Sequence, residues 1–93
     1  MGILIVGGDH LNQFADSARE AGVERLHHWS GRRAADHHQP LPRDLRGIVL
    51  LIDHVNHGLA ARVRRLATQS GLPVVYSARS RSQLRNAMAQ LAA

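Results

Sequence analysis

Asp53, His54, Asn56 and His57 follow directly on the apolar run Ile48 to Ile52, and Gly7, Gly8, Asp9 and His10 follow in the same way on Ile3 to Val6. In open parallel sheets ligands sit outside the carboxyl ends of the strands, so carboxylates, an amide and imidazoles placed there can hold a metal ion or an anionic group. Histidine is the commonest side-chain metal ligand and also ligates haem iron. The chain carries seven histidines in 93 residues, and His10, His27, His28, His54 and His57 fall at expected strand ends. His57 opens an expected helix, whose positive dipole end favours the neutral imidazole that binds metal. His37 and His38 lie in a long polar loop and read as solvated side chains.

Asp9 and Asp53, projecting from neighbouring strand ends, have the arrangement with which receiver domains hold a divalent cation, without the lysine that would complete it. Gly7-Gly8-Asp9 lacks both the GxGxxG spacing and a Walker lysine, so it reads first as a tight strand-to-helix turn and second as a phosphate cradle. Ser77, Arg79 and Ser80 could hold an anion or could be a helix cap with a solvated arginine. No cysteine, no serine in a nucleophile elbow and no glutamate near these strand ends supports nucleophilic catalysis, so binding is favoured over reaction.

These residues need a scaffold. Gly2 to Val6 and Ile48 to Ile52 are unbroken apolar runs, the pattern of strands covered on both faces. Between them, Leu11, Phe14, Ala15 and Ala18 mark one face of a helix that Gly22 stops, and Val23 to His28 reads as a shorter edge strand. Trp29 to Arg46, with Ser30, Gly31, Pro40 and Pro42 among charges, reads as a long connection with at most a short helical turn. Asn56 can cap a helix over His57 to Ser70 with Leu59, Val63, Leu66 and Ala67 inward, and Gly71 ends it. Pro73 to Tyr76 is a fourth strand, and Ser77 or Ser80 caps a last helix with the stripe Leu84, Ala87, Met88 and Leu91. Right-handed crossovers then give one α/β domain over residues 1–93, a Rossmann-like or flavodoxin-like three-layer fold whose four parallel strands lie in the order 2-1-3-4. The order reverses between the first and third strands, which brings the turns after them side by side.

Twelve basic residues, all arginine, stand against seven acidic ones, a net charge of +5 that suits an acidic partner. Three aromatic residues give few platforms for stacking bases, and the arginines are dispersed, so nucleic acid is an unlikely partner. No long apolar run marks a membrane span, and a soluble cytoplasmic protein is the default expectation. A core this small and a short sheet with open edges favour a homodimer.

Gly7-Gly8-Asp9, His28-Trp29-Ser30-Gly31-Arg32, Asp53-His54-Val55-Asn56-His57 and Ala78-Arg79-Ser80, in this order, resemble the short bacterial proteins grouped as the domain-of-unknown-function family 2325. Its pattern runs GGD, HxSGR, TDxxNH and a closing RS, and the likeness covers nearly the whole chain. Ile52 departs from it, standing where the family tends to have threonine. The resemblance implies a small α/β domain without settled activity and selects His28, Ser30, Gly31, Arg32, Asp53, Asn56 and His57; it also raises the haem reading. The expectation is a binding module for a metal centre, haem iron first and a divalent ion otherwise, with His28 and His57 as ligands. Gly8, Asp9, Ser30, Gly31, Arg32, Asp53, Asn56 and Arg79 would line its site. The alternatives are a pocket for a small phosphorylated or carboxylated ligand, and a protein-interaction domain.

Overall fold

The structure, a computed structural model, describes residues 1–9, 12–53 and 55–92, with Asn12 and Gln13 described by their backbone alone. Its chain runs β1 (Gly2–Val6), α1 (Asn12–Glu20), β2 (Arg25–Trp29), β3 (Leu45–Leu51), α2 (His57–Ser70), β4 (Val74–Ser77) and α3 (Arg81–Ala92), with a 3-10 turn at Ala34–His37 before β3. The strands form one parallel sheet in the order β2-β1-β3-β4, so β1 and β3 are the inner pair.

Successive side chains of a strand point to opposite faces, which explains why the two central runs are apolar throughout. Ile3, Ile5, Val49 and Leu51 pack with Phe14 and Ala18 of α1 and with Leu84, Ala87, Met88 and Leu91 of α3. Leu4, Val6, Ile48 and Leu50 pack on the other face with Trp29 and with Leu59, Ala60, Val63 and Ala67 of α2. Each fully buried aliphatic side chain here contributes roughly 1.5–3 kcal/mol of transfer free energy. The expected three-layer architecture and strand order are therefore the observed ones.

Helix termini follow local chemistry. The Asn56 side chain accepts the backbone N–H of Leu59 at 3.1 Å, and Gly71 closes α2 by donating to the carbonyls of Ala67 and Thr68. Of the two serines that could cap α3, Ser80 does so, accepting the N–H of Gln83 at 3.2 Å, whereas Ser77 lies buried in β4. Glu20 at the end of α1 receives Arg81 and Arg85 from α3, tying the two helices on that face.

Boundaries shift where backbone groups are already engaged. β2 starts at Arg25 rather than Val23, because the amides of Gly22 and Val23 close the end of α1 on Arg19 and Ala18, and it runs on through the buried Trp29. β3 begins at Leu45 and ends at Leu51, leaving Ile52 58 % exposed beyond it. Ala15 faces solvent and Ser17 takes the inward position, its hydroxyl donating to the carbonyl of Arg81 at 3.2 Å. Leu11 lies outside the described residues. No helix among the described residues is long and apolar enough to cross a membrane.

Candidate functional site

Two strand ends are joined by backbone and ring before any ligand chemistry begins. The amide of Gly7 donates to the Trp29 carbonyl at 2.8 Å, and the His28 ring donates from Nε2 to the Gly7 carbonyl at 2.7 Å. A carbonyl oxygen only accepts, so Nε2 carries the hydrogen, and in a neutral ring the lone pair is then on Nδ1. Phe14 of α1 meets the same ring edge-on, with 5.4 Å between centroids. Gly8 has φ +75°, and a Cβ there would fall 2.8 Å from Cζ of Phe14 and 3.1 Å from Cδ1 of Leu51. Core packing at the turn therefore demands the glycine, which is the tight-turn reading of the pair.

After β2 the chain is organised by a carboxylate. Asp36 is fully buried and accepts from the Ser30 hydroxyl at 3.4 Å, the Gly31 amide at 3.1 Å, the Arg33 guanidinium at 3.3 Å and the Gln39 amide at 3.1 Å. The Ser30 oxygen in turn accepts the Arg32 amide at 3.2 Å, and the His37 ring donates from Nε2 to the Gly31 carbonyl at 2.9 Å. Arg62 of α2 lies over the Trp29 ring and donates to the Gln39 carbonyl at 2.7 Å, fixing the far end of this loop. His37 is thus half-buried and bonded, not the solvated side chain its loop position suggests, while His38 is exposed as expected.

Set on this base, Arg32 reaches across to Asp9, Nη2 to Oδ1 2.7 Å, with the arginine largely and the aspartate partly open to water. Such an exposed pair stabilises the fold by under about 1 kcal/mol. Two clefts meet at it. One, about 460 Å³, is lined by Asp9, His28, Ser30, Arg32 and Arg33; the other, about 420 Å³, by Asp9, Ser30, Gly31, Arg32, Asp53, Val55 and Asn56. The strand-end turns after β1, β2 and β3 thereby converge, bringing Asp9, His28, Ser30, Gly31, Arg32, Asp53 and Asn56 together.

Other expected site residues are placed elsewhere. Gly8 is buried behind the turn and lines neither cleft. Arg79 follows β4, which β3 separates from β1, and is not a lining residue of either. His57 is exposed at the start of α2 and is not a lining residue of either cleft, although its neighbour Asn56 lines the second. His27, next in sequence to His28, points the other way: its Nε2 lies 3.2 Å from the Asp44 carboxylate, and the Asp44 carbonyl accepts the Gly2 amide at the starting end of β1. His10 and His54 lie outside the described residues. Among the described residues, no group of three or more His, Asp or Glu side chains is placed to hold a metal ion.

Asp36 is the organising residue that sequence reasoning passes over, and His37 is the one it reads as solvated. Their only signal is membership of an unusually long connection that follows an edge strand. The family model described as an uncharacterized protein conserved in bacteria, DUF2325, matches residues 2–91. No curated protein and no solved structure matches the chain.

Proposed function

We propose, for a chain that belongs to the DUF2325 family across nearly its whole length, a binding module that holds a small phosphorylated or carboxylated ligand where β1, β2 and β3 end. The observation that carries this reading is the exposed Arg32 guanidinium, aimed into both clefts and occupied by one carboxylate, Asp9. A ligand anion can replace Asp9 on that planar fork with two parallel hydrogen bonds. Ser30 and Arg33 stand beside it, and the buried Asp36 holds their loop in place before the ligand arrives. The test is thermal unfolding of the full chain with inorganic phosphate, pyrophosphate and citrate. Stabilisation should rise with concentration as expected for binding to the folded state and vanish in Arg32→Gln. No shift with any of the three at millimolar concentration would sink the reading.

One observation favours a second reading, a metal centre with haem iron as its most plausible form. The Nε2–H of His28 rests on a backbone carbonyl, the support that ligating imidazoles commonly receive, and leaves Nδ1 as the coordinating atom. Arg32 and Arg33 would pair with haem propionates, and Asp9 and Asp53 offer oxygens to a divalent ion in its place. His57 would serve as a ligand only through its exposed ring at the start of α2. Titration with haemin and with zinc, for the wild type, His28→Ala and His57→Ala, separates the two readings.

The proposed working form is a homodimer. Its support is the open edge of β4, where Tyr76 is 51 % exposed beside Ile52.

A further inference from the structure

The two clefts have opposite character. In the first, the guanidiniums of Arg32 and Arg33 face the single carboxylate of Asp9, with His28 as a further polar neighbour and Asp36 buried behind Arg33. In the second, the carboxylates of Asp9 and Asp53 face the single guanidinium of Arg32. Asp9, Ser30 and Arg32 line both, so the Asp9–Arg32 pair is the partition between a lobe lined by two guanidiniums and a lobe lined by two carboxylates. A bare, multiply charged anion suits only the first lobe and is repelled by the second.

The second lobe also states what it would accept. Asp9 and Asp53 are acceptors only, whereas the oxygen of the Asn56 amide is taken by the Leu59 N–H, leaving its NH₂ as a donor. Ser30 adds a hydroxyl. A surface that mixes acceptors and donors at close range fits hydroxyl groups, which give and take hydrogen bonds together, better than an ammonium, which only gives. Among the described residues, Val55 is the single apolar side chain in this lining, and neither lining has a Phe, Tyr or Trp on which a nucleobase could stack. Each lobe, at about 420–460 Å³, lies within the range of small-molecule sites.

We infer that the ligand is a phosphorylated polyol of sugar-phosphate size, its phosphate on Arg32 beside Arg33 and its hydroxyls on Asp9, Asp53 and Asn56. This deepens, and rests on, the anionic-ligand reading above. When phosphate takes the Arg32 fork, Asp9 is released from its ion pair and becomes available to a hydroxyl, so the two lobes fill together rather than independently.

The experiment is isothermal titration of the full chain with ribose 5-phosphate, glucose 6-phosphate, glycerol 3-phosphate and inorganic phosphate, for the wild type and Asp53→Asn. Asp53 is exposed, and circular dichroism of the variant checks that its fold is intact. In the wild type at least one of the three esters should bind about tenfold or more tighter than inorganic phosphate, the discrimination expected when hydrogen-bonding groups of a site meet their partners. In the variant that preference should collapse, with the ester weakened and inorganic phosphate strengthened by the loss of a repelling carboxylate. Inorganic phosphate binding the wild type as well as every ester would overturn the inference and leave the anionic-ligand reading standing. Absence of binding by all four would remove both, and an ester preference that survives in Asp53→Asn would overturn the placement of the hydroxyls.

Discussion

His28 donates from Nε2 to the carbonyl of Gly7 at 2.7 Å, so the end of β2 is fastened to the turn that carries Asp9. The same ring is packed edge-on by Phe14, which couples the fastening to the core under α1. The bond and the aromatic contact are each worth about 1 kcal/mol. His28→Ala should therefore lower the unfolding free energy by about 2 kcal/mol in urea titrations, and His28→Gln, which can keep an N–H donor on the carbonyl, should recover part of it. An alanine variant as stable as the wild type would show that the ring is not a structural tie.

Asp36 gathers Ser30, Gly31, Arg33 and Gln39 on one fully buried carboxylate. Removing an acceptor costs more than the bonds themselves when it leaves buried donors without a partner. Asp36→Ala should destabilise by about 3 kcal/mol, whereas Asp9→Ala, at an exposed ion pair, should change stability by less than about 1 kcal/mol. Equal effects in chemical denaturation would mean that the loop is not organised as described.

Gly8→Ala should cost about 3 kcal/mol, because the left-handed backbone strains any other residue and the added methyl collides with Phe14 and Leu51. Gly22 shares the left-handed backbone but has open space around its α-carbon, so Gly22→Ala should cost only about 1–2 kcal/mol. The difference between the two melting temperatures isolates the packing term.

Acid should weaken the protein through two carboxyls. Hydrogen bonding from Arg81 holds Glu20 below its ordinary value, with partial desolvation opposing and the charges of Arg81 and Arg85 assisting. Asp44 is pushed up by desolvation, but its own backbone amide, the His27 ring and Arg25 together outweigh this and leave it lowered. A carboxyl with a folded pKa below its unfolded one contributes stability that is fully present above the unfolded value and disappears as pH falls through the folded one. Unfolding free energy should thus decline as pH drops below about 4, the ordinary carboxylate range. Glu20→Gln and Asp44→Asn should each flatten that decline, and a pH slope unchanged by both would refute the assignment.

The parts of this architecture legible from sequence are those set by chain-local rules. Leu4 and Val6 face α2 while Ile3 and Ile5 face α1 and α3, so a strand buried on both faces announces itself as an unbroken apolar run. Asn56 and Gly71 mark the ends of α2 because caps are local chemistry. Strand position alone does not separate His27 from His28, since adjacent strand residues face opposite ways and the side depends on register with β1; the family motif is what singles out His28. Arg79 resembled a site residue because it follows a strand end, but β4 is removed from the reversal of strand order by β3. Asp36 stayed hidden because its burial depends on donors that meet only after the loop has closed, and loops carry no periodicity to read.

The proposed homodimer has a specific edge of the sheet to form on. α1 and α3 share one face, whereas α2 alone packs on the other, and Tyr76, paired with Leu50 on the α2 side, is left half uncovered at the outer strand. Ile52, just past the end of β3, extends the same uncovered margin. Among the described residues β4 has no further strand on its outer side, so its outward backbone groups are a template for a second strand. Pairing of β4 with β4 of another copy would satisfy those groups and cover both side chains across a two-fold axis. Sedimentation equilibrium at roughly tens of micromolar should give a dimer mass for the wild type, a range in which modest isologous interfaces are populated. Tyr76→Arg should give the monomer, because it places like charges against each other across the axis, while Arg25→Ala, in β2 at the opposite edge of the sheet, should leave the dimer mass unchanged. A wild-type chain that sediments as a monomer throughout that range would remove the homodimer from the proposal.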